Sequence, residues 1–162
     1  MVVLGIDPGI ETCGYGVIRG LGQRAEALAF GVVVTKADEP TAMRLLRIYE
    51  GISEIIHQHH PERVAVERLY FNRNVGSAIA VGQARGVALL AAAQHGLRVR
   101  EYTPPEVKQA VSGYGGAEKQ QVMRMVRTIL GLGAEPMRDD AADALAIALC
   151  GLFRADWEAK AQ

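Results

Sequence analysis

The sequence predicts a mixed α/β domain, a five-stranded sheet with helices on both faces. Three observations carry this: short β-branched runs bounded by turn residues, longer segments with apolar residues at helical spacing, and the order of the two kinds. Three strands come first, then helix, strand, helix, strand and a final group of helices. Turns join strands 1 to 3, which suits antiparallel pairing. Strands 4 and 5 each follow a helix, and right-handed crossovers would lay them parallel to strand 1.

Residues 2–7, Val2-Val3-Leu4-Gly5-Ile6-Asp7, form an apolar run closed by the turn Pro8-Gly9-Ile10, and read as the first strand. Tyr15–Arg19 and Ala27–Thr35 read as the second and third. Gly14, Gly16, Gly20 and Gly22 lie around the second strand; glycine there loosens the hairpin and marks a close approach of backbone or ligand. From Thr41 to Gln58, Leu45, Ile48, Ile52, Ile55 and Ile56 recur at helical spacing, and Pro61 follows as a stop. Arg63–Glu67 reads as the fourth strand, Ser77–His95 as a helix and Leu97–Tyr102 as the fifth strand. A short helix follows Pro104-Pro105. Helices are then expected over Ala117–Leu130, with Val122, Met125, Val126 and Ile129 facing the core, and over Asp139–Arg154. One domain over 1–155 with a short tail at 156–162 is expected, and Ser112-Gly113-Tyr114-Gly115-Gly116 is the loop with obvious freedom to move.

The chain has 162 residues, enough to bury roughly 70% of the surface its unfolded form exposes, so no disulfide framework is needed. Charged residues at Asp7 and Glu11 interrupt any leader-like start, and the longest apolar stretch, 86–93, is far too short to span a bilayer. A cytoplasmic protein with reduced Cys13 and Cys150 and no membrane role is expected. Eighteen basic and eighteen acidic residues cancel, so total charge decides nothing about nucleic acid. Between Arg98 and Arg127, six basic residues outnumber three acidic ones; a solvated face or a phosphate-contacting one would both produce that excess.

The carboxylates are more specific. Asp7 and Glu67 each end an apolar strand, where open α/β sheets place their sites. Asp140 and Asp143 stand three residues apart at the start of an apolar helix and share one face. Bland readings exist for each: Asp-Pro-Gly makes a turn, Glu67 is placed to pair with Arg68, and Asp139 and Asp140 suit helix N-caps. A phosphate-binding hairpin of actin-like ATPases would need a second domain that 162 residues do not provide. Convergence of four unpaired carboxylates would favour a hard cation, because their mutual repulsion needs one and oxygen ligands suit Mg²⁺ or Mn²⁺ better than zinc. The chemistry would then be two-metal phosphodiester hydrolysis, with ions ~3.5–4 Å apart. Lys108 and Lys119 flank the glycine loop and suit phosphate contact, as does the polar side of their helices at Arg124. Tyr70-Phe71-Asn72-Arg73 sets aromatics beside a cation, where a ring can stack on a splayed base. His57, His59 and His60 trail a helix end and are read as no part of a site.

The ordered motifs GIDPG around Asp7, VAVE at Glu67, GQARGVAL at 82–89, YTPPEVKQAVSGYGGAEKQQV at 102–122 and DAADALAIAL from Asp140 resemble the RuvC family of bacterial Holliday junction resolvases over nearly the whole chain. The resemblance implies a ribonuclease-H-like fold and metal-ligating carboxylates at Asp7, Glu67, Asp140 and Asp143. It implies catalytic or phosphate-contacting lysines at Lys108 and Lys119, and a base-stacking aromatic at Tyr70; the residues themselves add Phe71, Arg73 and Arg124 as expected DNA contacts. Two Mg²⁺ ions per site, with Mn²⁺ as a substitute, four-way junction DNA, a homodimer and a junction-migrating helicase complex are implied as cofactor and partners. The family usually has glutamine where Arg68 stands and phenylalanine where Tyr70 stands. Two other readings remain: a ribonuclease-H-like enzyme acting on RNA, and a junction-binding protein that does not cut.

Overall fold

The structure, a computed structural model, describes residues 1–21, 24–68 and 75–160. Strands β1 (Val2–Asp7), β2 (Thr12–Leu21), β3 (Arg24–Val34), β4 (Arg63–Glu67) and β5 (Arg98–Tyr102) form one sheet in the order β3-β2-β1-β4-β5. β1 pairs antiparallel with β2 and parallel with β4, β2 pairs antiparallel with β3, and β4 pairs parallel with β5. That is the mixed topology the element order predicts. Helices α1 (Thr41–His59) and α2 (Val75–Gln94) cover one face; α3 (Pro104–Ser112), α4 (Lys119–Leu130) and α5 (Asp139–Lys160) cover the other.

Several boundaries differ from the sequence expectation. β2 and β3 are longer at the glycine-rich hairpin because the ladder continues as far as Leu21 opposite Arg24, so cross-strand bonding outweighs weak local propensity. α5 continues to Lys160, so most of the segment expected as a tail from 156 is the end of that helix. Glu158, Ala159 and Lys160 are good helix formers, and no glycine or proline interrupts them.

Strand alternation decides which side chains reach which layer. Leu4, Ile6, Val64 and Val66 pack with Ile48, Ile52, Ile55 and Ile56 of α1, while Val3 and Ala65 pack with α5. Asp7 and Glu67 are in phase with Val3 and Ala65, so the period of two turns both toward the α5 side. α5 lies close against the sheet because glycines form its floor. A Cβ on Gly5 would sit 2.1 Å from the Ala144 carbonyl oxygen, and one on Gly14 would sit 2.1 Å from that of Asp140. The glycines of β2 therefore mark a close approach of backbone, as their placement in a strand suggests.

Candidate active site

β1 and β4 run side by side, Gly5 beside Ala65 and Ile6 beside Val66, and so deliver Asp7 and Glu67 together at the carboxyl edge of the sheet. α5 starts over the same edge. Its first turns carry Asp140 above Gly14, which is the β2 partner of Asp7, and Asp143 one turn further in. α3 contributes Lys108. Its start is fixed by a reciprocal cap: the Glu106 N–H donates to the Thr103 hydroxyl at 3.3 Å, and the Glu106 carboxylate accepts from the Thr103 N–H at 2.8 Å. α3 ends at Gly113, whose φ of 77° is the left-handed conformation that glycine adopts without strain. α4 opens with Lys119. Asp7, Glu67, Lys108, Lys119 and Asp143 line one open cavity of about 250 Å³, with an apolar wall of Pro104, Val107, Val122, Ala146 and Ile147.

Electrostatics mark the cavity as strained for anions. Burial, then repulsion from Asp143, Glu67 and Asp140, pushes the Asp7 carboxyl up from its ordinary 3.8 to about 7. Glu67 is also raised, first by burial and then by Asp143, against the pull of Lys108 and Lys119. Burial raises Asp143 as well, and Lys119 only partly offsets it. The Lys119 ammonium donates to Asp143 Oδ2 at 3.0 Å and lies 3.3 Å from Asp139 Oδ2. Burial works against its charge, but these two carboxylates win and raise its pKa.

The carboxylate oxygens are the donor set a hard divalent cation takes, and their mutual repulsion is what such an ion relieves. As placed, no three metal-ligating side chains among the described residues are gathered tightly enough to share one ion. Lys119 brings positive charge to Asp143.

The structure thus brings Asp7, Glu67, Asp143, Lys108 and Lys119 to one cavity and sets Asp140 beside Asp7 without making it part of the lining. Arg124 is exposed on α4 and does not line the cavity. Tyr70, Phe71 and Arg73 fall outside the described residues. Arg68 does not take Glu67 as its ion-pair partner: its Nε lies 3.9 Å from Glu101, which Arg85 also approaches at 2.5 Å. Glu67 faces α5, whereas the next residue turns toward α2, which bears Arg85, so alternation separates the two.

The family model for crossover junction endodeoxyribonuclease RuvC matches residues 3–151. A relative of that name from Heliobacterium modesticaldum is 56% identical over 97% of this chain and 97% of its own length. The chain belongs to the RuvC family. The crossover junction endodeoxyribonuclease RuvC of Moorella thermoacetica is 53% identical over 97% of this chain and 94% of its own. The solved structure of T. thermophilus RuvC in complex with Holliday junction substrate matches with a TM-score of 0.93 at 45% identity, over 98% of this chain and 96% of that one. The yeast mitochondrial Holliday junction resolvase Ydc2 shares the fold at a TM-score of 0.66 and 15% identity.

In the sequence Asp139 reads as a helix cap, and the apolar wall does not stand out. The spacing held a signal for Asp139: it stands four residues before Asp143, so both present to the same side of α5, and both reach Lys119. The wall carried none, because Val107, Val122 and Ile147 are ordinary core residues of three separate helices.

Proposed function

We propose that this protein resolves four-way (Holliday) DNA junctions by paired, symmetric, metal-dependent hydrolysis of phosphodiester bonds, serving DNA recombination and repair. One observation carries the reading: four acidic side chains and two lysines meet at the carboxyl edge of the sheet, in a chain that spans almost the whole length of its RuvC relatives. Asp7, Glu67, Asp140 and Asp143 would hold the ions, Mg²⁺ by preference with Mn²⁺ as a substitute. Bound ions would supply water activation and neutralise charge on the leaving 3′ oxygen.

The protein's own groups do the rest. Burial of Asp7 and partial burial of Glu67 and Asp143 make attraction between these carboxylates and a cation stronger than on an open surface. Lys108 near Glu67 and Lys119 against Asp143 are point charges at the cavity, suited to orient the scissile phosphate. With a cation held by Asp143, the Lys119 ammonium, 3.0 Å from that carboxylate, would be available to the phosphate.

Paired cuts need two sites related by symmetry. α2 offers a surface for a second copy: Ile79 and Leu90 are exposed, and Gly82 and Gly86, on the same side, have open space where a side chain would be. Small residues between larger apolar ones let two such helices approach closely. A homodimer through α2 in the cytoplasm, with a junction-migrating helicase as a further partner, completes the proposal.

The test is incubation of the protein with a labelled four-way junction and a matched linear duplex, in Mg²⁺ or EDTA, alongside Asp7→Asn. Paired nicks confined to the junction, requiring Mg²⁺ and lost in the variant, are expected. Binding without cleavage in every divalent metal would overturn the reading, as would equal cutting of the duplex.

A further inference from the structure

We infer that Tyr114 stacks on a nucleobase of the junction beside the cavity. This rests on the reading of the protein as a junction nuclease.

Tyr114 sits in the six-residue connection between α3 and α4, residues 113–118, so the loop that carries it joins the helix of Lys108 to the helix of Lys119. The same loop lies against the start of α3, where Pro104 lines the cavity: a Cβ on Gly115 would be 3.3 Å from the Pro105 carbonyl oxygen. Tyr114 is 65% exposed, more than any other large hydrophobic side chain among the described residues. An aromatic ring left in water at this place forgoes the gain that burying it would give.

Folding of the loop does not account for the ring. The Gly113 N–H donates to the Gln109 carbonyl at 2.9 Å, and the Gln109 amide donates to the Gly113 carbonyl at 2.9 Å. The Ser112 hydroxyl donates to the Lys108 carbonyl at 2.7 Å and approaches that of Tyr114 at 3.2 Å. The Ala117 N–H donates to the Tyr114 carbonyl at 3.1 Å. All of these bonds use backbone atoms or the side chains of Ser112 and Gln109. Backbone bonding therefore organises the loop, and the ring, though it rests on Gly116, keeps most of its surface open to another partner. The ring lies over Gly116, where a Cβ would come within 2.7 Å of its Cζ and hydroxyl oxygen, so glycine at 116 lets the ring fold back at this angle.

The partner that fits is a base. Two lysines at the cavity bring a phosphate between them, and an aromatic on the loop joining their helices is placed for the nucleotide next to that phosphate. Stacking tolerates any base, because each has a π-face. Such a contact would hold the strand in register for cutting and would add to any made by Tyr70.

The experiment uses the full chain and a four-way junction carrying 2-aminopurine in turn at the nucleotides flanking the mapped cut, with binding read in EDTA and cleavage in Mg²⁺. Wild type is expected to quench 2-aminopurine at one flanking position. Tyr114→Ala should lose that quench and cut roughly five- to hundredfold more slowly, the range one stacked base is worth. Tyr114→Phe should match wild type within about twofold, and Gly116→Ala, which displaces the ring without removing it, should weaken the quench. Wild-type quench and cleavage in Tyr114→Ala would overturn the inference, as would loss of both in Tyr114→Phe. Should wild type fail to cut junctions, the functional reading falls, while the EDTA quench still decides whether the ring stacks.

Discussion

Asp7→Asn should stabilise the metal-free protein above pH 7 while abolishing its activity. In the folded chain the Asp7 carboxyl is raised from 3.8 to about 7, first by burial and then by the charges of Asp143, Glu67 and Asp140. Between those two values the folded state holds a proton that the unfolded state has lost, so stability falls as pH rises from about 4 and levels off beyond about 7. At ~1.4 kcal/mol per pH unit, the interval sets a ceiling of about 4 kcal/mol on what the ionised Asp7 costs. Asparagine keeps the shape, removes the charge and can donate to the neighbouring carboxylates. In a chain of this length each kcal/mol shifts Tm by roughly 2–4 °C. Thermal melts in EDTA at pH 5 and pH 8 are the assay. The variant should gain several degrees over wild type at pH 8 and less than half of that at pH 5, and adding Mg²⁺ at pH 8 should raise the wild-type Tm more than that of the variant. An Asp7→Asn Tm equal to or below wild type at pH 8 would refute the account of a strained carboxylate cluster.

Three further outcomes follow from the packing. Thr103→Ala removes one half of the reciprocal cap at the start of α3 and should lower stability by about 1 kcal/mol in a denaturant titration; no change would show that the cap does not fix the helix bearing Lys108. Gly5→Ala forces a methyl against the Ala144 carbonyl and should cost roughly 1–3 kcal/mol. Because α5 must shift, junction cleavage should fall more than junction binding, and wild-type values of both would contradict the close packing of α5 on β1. Ile79→Glu sets a charge on the exposed side of α2 and, on the proposed homodimer, should leave monomers in sedimentation and replace paired cuts by single nicks. A variant that remains dimeric would move the interface elsewhere.

The sequence by itself determined the strands, the helices and their order, because each rests on a local period: two for Leu4, Ile6, Val64 and Val66, and 3.6 for Ile48, Ile52, Ile55 and Ile56. It also determined that acidic residues close β1 and β4 and open α5. Strand length at the glycine-rich hairpin was not legible, since pairing across the sheet set it. Only the tertiary structure decided which carboxylates meet and how closely. Parallel register set Asp7 beside Glu67, and the glycine floor under α5 lowered Asp140 and Asp143 onto them. Residues far apart in the chain acquire their repulsion, and Asp7 its raised pKa, only when that packing removes water from between them. The partners of Arg68 and Lys119 were decided in the same way. Alternation turned Arg68 toward Glu101, and the approach of α4 to α5 gave Lys119 both Asp139 and Asp143, contacts between elements that no local pattern encodes.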